Sequence, residues 1–399
     1  MRKYCAWLGL LTVGAAVLLA GCWDRRELND LAIAVGMGLD RQGGQTQVTV
    51  QIVNPGEVAS KKDGGGYSPP VTTLKVAEST TIEALRKLTV VAPRKVYMSH
   101  LRILVIGEGL ARQGILKVMD GISRNHELRS DFYIVVAKGT TAGQVMKILT
   151  PIDKIPANKM FSTLEMSDKL WAATVSMQLD KFISDLSNPT KDTVLTGIVI
   201  TGNGKSGQSK KNMSRISPYV NLAYSGVALF KEDKLVDWLN EEEAKGYNYI
   251  MGNVNNSAGH IACPGGGTAA LDITRSESKV KGKVARGQPS IHIDLFVEQN
   301  IGEVRCEVDL MKEANIQALE EIAEEKLTQM MKAAIRKAKK NKADIFGFGE
   351  KIEDADPKSW RKLKKDWDDY FSRLDVSIQV NAKFRRMGTT SNSLLDREE

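Results

Sequence analysis

The first 22 residues constrain this chain most, because they decide which part of it can fold as a body of its own. Two basic residues (2–3) precede an apolar run (6–19), and Leu-Ala-Gly then leads directly into Cys22. A positive start, an apolar stretch and small residues follow the order of an export signal. The run is about fifteen residues long, whereas a membrane-spanning helix needs about 20. We therefore expect residues 1–21 to be a signal peptide and the remainder to fold outside the bilayer.

The cysteine directly after Leu-Ala-Gly is more specific than an ordinary cleavage site, because it resembles the bacterial lipobox. That resemblance implies cleavage before Cys22 and attachment of a diacylglycerol to its sulfur. A plain signal peptide with a chance cysteine is the alternative. We predict lipidation at Cys22, so that the mature chain is tethered to a membrane by its first residue.

Composition and net charge limit the classes of partner that the remaining chain is expected to bind. Its 399 residues allow two or three domains, and 42% hydrophobic with 26% charged residues is ordinary for a globular protein. The net charge is +8 and falls to +6 without the two basic residues of the signal. A mildly basic body gains adhesion to an anionic membrane. Since the basic residues are interleaved with acids, we expect no nucleic-acid partner.

Two cysteines lie beyond the signal, Cys263 and Cys306. An exterior compartment permits a disulfide between them. One pair in so large a body is no disulfide framework, and spacing alone does not settle the pairing. We expect two separate thiols, with a Cys263–Cys306 bridge as the alternative.

Hydrophobic periodicity predicts different architectures for the two halves. Strands and helices alternate in the first half, which is typical of α/β order with parallel neighbouring strands. The second half combines a hairpin near 225–239, strands, and an amphipathic helix over 314–342, which indicates α+β with an antiparallel sheet packed by that helix. The fold class is therefore α/β plus α+β, multi-domain, with mixed sheets packed by helices.

We divide the chain by composition as well as by pattern. The glycine-rich, polar and basic stretch near 202–217 reads as a linker, and residues 58–70 read as a surface loop. The predicted units are the signal peptide (1–21), an N-terminal domain that could hold two subdomains (22–195), a linker (196–224), a C-terminal domain (225–388) and a tail (389–399).

The usual signatures of enzymes and metal sites are absent from the sequence. The four histidines are scattered without metal-ligand spacing, and no Gly-x-Ser-x-Gly elbow occurs. The stretch 202–207 fits Gly-x-Gly-x-x-Gly, but a dinucleotide loop must open a helix and none is predicted after it. Clustered acids at 241–243 and 368–369 suit solvated helix faces. We predict no catalytic, metal or cofactor site.

Four blocks of sequence, in order, resemble one family, the Ger(x)C spore-germination lipoproteins. The first is the lipobox with Trp23 to Leu28 and the LAIAVGMGLD strand; the second is HLRILVIG from His100, with the charged residues and strand after it. The third runs from GVALF at 226–230 to Gly246. The fourth is DIFGFG at 344–349, followed by Pro357, two tryptophans and the last strand. Together the blocks cover about 18 to 388.

This resemblance implies a non-catalytic C subunit of a nutrient germinant receptor, on the outer face of the inner spore membrane. The family's partners are a multi-spanning A subunit and a transporter-like B subunit, and its fold is three α/β domains. Only the lipid site carries over, onto Cys22. Segments near Lys61, Lys205 and 346–348 are candidates for docking, although we favour burial for the last. A tethered solute-binding lipoprotein that captures the nutrient itself is the alternative function.

Overall fold

The computed structural model describes residue 7, residues 30–59 and residues 68–386, and these form two sheets packed by helices. The strands are β1 (Leu31–Gln42), β2 (Gln45–Val53), β3 (Val71–Glu78), β4 (Lys95–Tyr97), β5 (Ile103–Gly107), β6 (Tyr133–Ala137), β7 (Val194–Gly202), β8 (Val220–Lys231), β9 (Lys234–Leu239), β10 (Ser257–Ala262), β11 (Thr268–Ala285), β12 (Gln288–Arg305) and β13 (Asp375–Arg386). The helices are α1 (Pro55–Ala59), α2 (Thr81–Val91), α3 (Glu108–Gln113), α4 (Leu116–Ser123), α5 (Ala142–Val145), α6 (Pro156–Leu170), α7 (Leu179–Ser187), α8 (Glu241–Met251), α9 (Glu313–Lys340), α10 (Phe348–Ala355), α11 (Pro357–Leu363) and α12 (Trp367–Arg373).

The large sheet has the strand order β3-β2-β1-β5-β6-β7-β8-β9, with β4 beside the start of β1. Strands β1, β5, β6 and β7 run parallel, while β2, β3, β8 and β9 pair antiparallel with their neighbours. The parallel neighbours predicted from the alternating pattern are confirmed. Strands β5 and β6 are buried along their whole length, as parallel strands covered on both faces must be.

Alternate residues of β5 pack into different cores, because successive side chains of a strand point to opposite faces. Leu104 and Ile106 join a cluster with helices α2 and α4, whereas Ile103 and Val105 join a second cluster with α5 and α6. Both faces of the large sheet are therefore closed by helices. The first cluster continues into the second half of the chain, so the two sheets share one hydrophobic core.

Two helix starts in the first half, those of α2 and α5, carry side-chain caps. Thr80 caps α2, and its side chain and that of Glu83 exchange hydrogen bonds with the backbone of the other residue. This reciprocal pair of contacts sets the start of α2 at Thr81. The buried carboxylate of Asp40, which ends the LAIAVGMGLD block, accepts the backbone N–H groups of Ala142 and Gly143 at 2.9 and 2.8 Å. This contact fixes α5 on the end of β1.

The small sheet has the order β10-β11-β12-β13 and packs against helices α8, α9 and α10. Helix α9 buries the stripe predicted from its sequence, including Leu319, Ala323 and Leu327. Helices α8 and α9 approach closely at Gly246, where a Cβ would lie only 2.2 Å from the carbonyl oxygen of Met330. The prediction of an antiparallel sheet is wrong at one pair, since β12 and β13 run parallel. The helices α9 to α12 between them supply the crossover that a parallel pair requires.

The change from one sheet to the other lies between Leu239 and Ser257, where α8 connects β9 to β10. Strands β8 and β9 belong to the large sheet, although the predicted linker at 196–224 would assign most of them to the second domain. The predicted domain limits stay a prediction. What the strand pairing shows is that the stretch 196–224 does not separate the two sheets.

The expectation of two separate thiols is wrong, because Cys263 and Cys306 form a disulfide. Cys263 follows β10 and Cys306 follows β12, and both strands pair with β11. Register places Ala262 beside Thr268 and Thr268 beside Arg305, which brings the two cysteine Cα atoms to 6.4 Å. Strand register, which spacing along the sequence does not reveal, decides the pairing.

Candidate functional site

A charged cleft of about 660 Å³ lies where the start of β7 meets the C-terminal helices. Its walls are the segment 185–192 before β7, the turn between β8 and β9, and the segment 364–369 that leads into α12. Lysine and aspartate side chains dominate this lining. The cleft is therefore the place where the two halves of the chain meet through charged rather than apolar groups.

Asp344 is a fully buried carboxyl group at the base of this cleft. Its Oδ1 accepts the backbone N–H of Phe348 at 3.0 Å, and its Oδ2 accepts that of Gly349 at 2.8 Å and the indole N–H of Trp367 at 3.0 Å. Burial raises the pKa of Asp344 to about 6, although these three hydrogen bonds oppose the shift. One side chain thus fixes the starts of α10 and α12 relative to each other.

Asp192 connects Asp344 to the large sheet. Its Oδ2 accepts the backbone N–H of Asp344 at 2.9 Å, and its own N–H donates to the carbonyl of Asp344 at 2.9 Å. Its Oδ1 accepts the N–H of Glu232 at 2.7 Å. Lys231 donates to Asp192 at 3.2 Å and to Asp368 at 2.7 Å. Burial raises the pKa of Asp192, while Lys231 and the backbone donors act in the opposite direction.

This arrangement suits a joint between halves better than a reaction centre. The carboxylates of Asp192 and Asp344 spend most of their acceptor positions on main-chain and indole N–H groups, which hold structure. Within residues 30–59 and 68–386, no group of three or more His, Cys, Asp or Glu could hold a metal ion. The described helices also include none that is long and apolar enough to cross a membrane.

The DIFGFG block packs behind the cleft. Phe346 and Phe348 are buried, and their rings stack with centroids 4.9 Å apart. The ring centroids of Tyr247 and Phe346 are 5.8 Å apart, and those of Phe371 and Phe348 are 6.2 Å apart. The favoured burial of 346–348 is confirmed. These aromatic residues join α8 to α12 in the shared core and offer no docking segment.

A second, largely apolar pocket of about 210 Å³ lies between α8, α9 and the inner face of the small sheet. Inward-facing positions of β12 are apolar at Ile293, Leu295, Val297 and Ile301, but Gln299 occupies the same face. Gln299 is 1% exposed, and among the described residues its Nε2 has no hydrogen-bond partner. A buried amide without a partner costs stability, so it calls for an explanation such as an ordered water or a ligand.

Lys245 stands beside the same pocket. Its Nζ lies 3.5 Å from the ring centre of Trp171 and donates to the carbonyl of Ala258 at 3.0 Å. Burial lowers the pKa of Lys245, opposed by the acids Glu241 and Glu242. The pocket thus combines apolar walls with a desolvated ammonium group and an unused amide donor.

The sequence-predicted site residues fall in three places. Cys22 and Lys61 lie outside the described residues, as do Trp23 to Leu28 and most of the predicted loop 58–70. Lys205 is exposed in the connection between β7 and β8. The Gly-x-Gly-x-x-Gly stretch 202–207 leads only into a short 3-10 turn at Ser206–Gln208, so no dinucleotide-binding helix follows it. The stretch connects β7 and β8 within the large sheet, whereas the sequence predicted a linker between domains, and the domain limits stay a prediction.

Sequence reasoning missed Asp192, Lys245 and Gln299. A polar residue that interrupts an alternating apolar row is a readable signal, and Gln299 gives it. Lys245 follows three acids at the start of a helix, where a solvated position is the ordinary expectation. Asp192 carries no pattern at all, because its role depends on where the DIFGFG block folds back.

Comparisons with known proteins agree over nearly the whole chain. The family model described as "Spore germination protein N-terminal domain" matches residues 24–200. The model "Spore germination B3/ GerAC like, C-terminal" matches residues 225–388. Together the two models account for most of the sequence, in the order in which the four blocks were found.

Individual relatives give the same result. The chain is 33% identical to "Spore germination protein KC" of Bacillus subtilis (strain 168) over 396 residues, 97% of each chain. It is 26% identical to "Putative spore germination protein YfkR" of the same organism over 91% of each chain. The solved "Crystal Structure of the GerBC protein" matches with a TM-score of 0.57 at 20% identity, covering 90% of this chain and 99% of that one. That likeness supports the mixed, multi-domain α/β fold.

Proposed function

The chain belongs to the Ger(x)C family of spore germination proteins, and from this premise we propose that it is the non-catalytic, lipid-anchored subunit of a spore nutrient germinant receptor. The observation that carries the proposal is that both family models match, in order, over residues 24–200 and 225–388. In this role the protein is needed for nutrient-triggered germination. It binds a multi-spanning A subunit and a transporter-like B subunit on the outer face of the inner spore membrane.

Two features of the chain support an extracytoplasmic, tethered position. Cys22 follows Leu-Ala-Gly at the end of an export signal. The disulfide between Cys263 and Cys306 suits an oxidising compartment, since disulfides persist mainly outside the cytosol. Each buried acyl CH₂ contributes about 0.8 kcal/mol, so the two chains of a diacylglycerol anchor stably where one would not.

The junction around Asp192 and Asp344 supports an interaction role rather than catalysis. Its carboxylates hold the two halves in one arrangement. A rigid body presents its surfaces in a fixed geometry, and a tether raises its local concentration at the receptor without any new contact. Together these properties suit a subunit that shapes or stabilises a membrane complex.

Replacement of Cys22 tests the lipid anchor. We expect Cys22→Ala to release the protein from the spore membrane and to impair germination in response to nutrients, with the fold intact by circular dichroism. Cys5→Ala is the matched control, because Cys5 lies inside the signal and outside the lipobox. That variant should behave as wild type. Full membrane retention of Cys22→Ala together with normal germination would overturn the proposal.

Direct capture of the nutrient is the second candidate function, and the apolar pocket at Gln299 is the observation that favours it. Isothermal titration of residues 24–399 with amino acids and sugars tests it. Saturable binding that disappears in Gln299→Leu, but persists in the exposed α9 variant Gln317→Leu, would place this function ahead. Absence of binding leaves the receptor-subunit role as the better one.

A further inference from the structure

The short connection between Cys22 and the first strand restricts which face of the folded protein can meet the membrane. Strand β1 begins at Leu31, and Asp30 lies only eight residues after Cys22. At 3.3 to 3.6 Å per residue, a fully extended connection reaches at most about 29 Å. The strand ends on the side of the large sheet where β1 starts are therefore held close to the lipid surface. We call this side of the sheet the tether edge.

Helix α2 returns to this same edge. Strand β3 runs parallel to β1, because both pair antiparallel with β2, so β3 ends at the opposite edge. Helix α2 then crosses back and ends at Val91. The next strand, β4, pairs with the start of β1, with Lys95 opposite Leu31. Strands in a ladder lie about 4.8 Å apart, so the end of α2 is adjacent to the origin of the tether.

The end of α2 exposes a combination of apolar and basic side chains. Val90 is 78% exposed and Val91 is 48% exposed. Arg86 and Arg94 are exposed, and neither forms an ion pair with any described residue. Residues four apart share a helix face, which puts Arg86 beside Val90. We call these four residues the tether patch.

Resting on the lipid anchor of the proposed function, we propose that the tether patch lies on the anionic headgroup surface of the membrane. Each basic residue near such a surface contributes about 1 kcal/mol, which is weak for a free protein. The anchor supplies the local concentration, so a weak contact is enough to orient the body. Valines at the tip enter the interface while the arginines meet lipid phosphates.

A second region that is both basic and apolar offers an alternative membrane-facing surface, against which the proposal can be tested. In the connection between β7 and β8, Ile216 is fully exposed and Arg215 packs over the ring of Tyr219 at 4.1 Å. Strand β7 runs parallel to β1 and ends at Gly202, on the far edge of the sheet. Following the paired registers from Leu31 to Gly202 gives about thirteen residue rises, or about 40 Å. The tether therefore brings the end of α2 to the lipid, and we expect the connection between β7 and β8 to face away from it.

The experiment replaces the lipid by an artificial tether. Residues 23–399, which contain both sheets and both cores, carry an N-terminal histidine tag that binds a nickel-chelating lipid in phosphatidylcholine–phosphatidylglycerol vesicles. Val90→Cys and the matched control Ile216→Cys are each labelled with an environment-sensitive nitrobenzoxadiazole dye. Because Cys263 and Cys306 are bridged and Cys5 and Cys22 are removed, the introduced cysteine is the one free thiol of the chain.

We expect the label at position 90 to brighten at least twofold on anionic vesicles and the label at position 216 to remain unchanged. Adding Arg86→Glu and Arg94→Glu should abolish the increase, as should high salt, which screens exposed charges. An increase at position 216 instead, or at neither position, would overturn the proposal. The nickel tether replaces the lipid anchor and Cys22 is absent from this protein, so failure here is distinct from failure of the Cys22→Ala test.

Discussion

The central strands of the large sheet are buried on both faces, whereas the two longest strands of the small sheet bury only one. Strands β5 and β6 carry continuous apolar runs with helices above and below. Strands β11 and β12 are 18 residues each, and their inward positions alternate with charged or polar ones. The large sheet can therefore rely on burial, while the small sheet needs further constraints.

Those constraints come from α9 and from the disulfide. Helix α9 packs one apolar stripe against the inner face of the small sheet, beside α8 and α10, and the Cys263–Cys306 bond ties the ends of β10 and β12. The large sheet has a core cluster of its own on the α5 and α6 side, in addition to the cluster that it shares. We infer that burial on both faces stabilises the large sheet, whereas the small sheet depends more on helix packing and on the disulfide, although the two sheets share one core.

Removal of the disulfide should have the largest effect. Cys263 and Cys306 are 43 residues apart in sequence, and releasing a loop of that length costs about 4 kcal/mol in the chain-entropy account. We expect the Cys263→Ser and Cys306→Ser double variant to lose that much stability in urea unfolding. Hydrogen exchange should accelerate most in β10 and β11. Equal acceleration in β5 and β6 would contradict the assignment of this constraint to the small sheet.

The junction between the sheets should give the next largest effect, as a dependence on pH. The pKa of Asp344 in the folded protein is about 6, raised from an ordinary 3.8, so the folded state holds its proton more tightly than the unfolded state. Its stabilising contribution is complete below about pH 4 and is lost as the pH rises to about 6. Two pKa units correspond to about 3 kcal/mol.

The measurement compares urea unfolding of wild type and Asp344→Asn between pH 4 and 7. Asn leaves one of the three N–H donors without an acceptor, so the variant is less stable throughout, but the decline between pH 4 and 6 should flatten. Asp369→Asn is a control of opposite sign, because Lys342 lowers the pKa of that exposed carboxyl. An unchanged slope in Asp344→Asn would show that this carboxyl does not couple folding to protons.

Much of the fold, and little of the junction, could be predicted from the sequence. The apolar runs of β5 and β6, the capping residues before α2 and the stripe of α9 are local patterns, and local patterns predict local structure. The disulfide, the parallel pairing of β12 with β13 and the contact of Asp192 with Asp344 join residues far apart along the chain. They depend on register and crossover, which no local pattern records. Gln299 is intermediate, since its polar interruption of an apolar row is visible but its missing partner is not.

The same substitution in both sheets should show the difference in burial directly. Val135 in β6 is fully buried, whereas Val280 in β11 is only partly covered. We expect Val135→Ala to cost about 2 kcal/mol, for lost burial and the cavity left behind, and Val280→Ala less than half as much. Chemical denaturation of both variants measures it. Equal losses would mean that the part of β11 around Val280 is buried in solution as deeply as β6 is.

The smallest effect should come from the charged outer face of the small sheet. Lys281 and Asp294 pair across β11 and β12 at 3.2 Å, and both side chains are well exposed. Exposed ion pairs gain little over their interactions with water and salt. In a double-mutant cycle with Lys281→Ala and Asp294→Ala, we expect no coupling that exceeds experimental error. Measurable coupling would mean that this face is partly withdrawn from solvent, as a face covered by another part of an assembly would be. A null result instead leaves these charges with the role of keeping long, one-sided strands soluble, which the helices on both faces make unnecessary in β5 and β6.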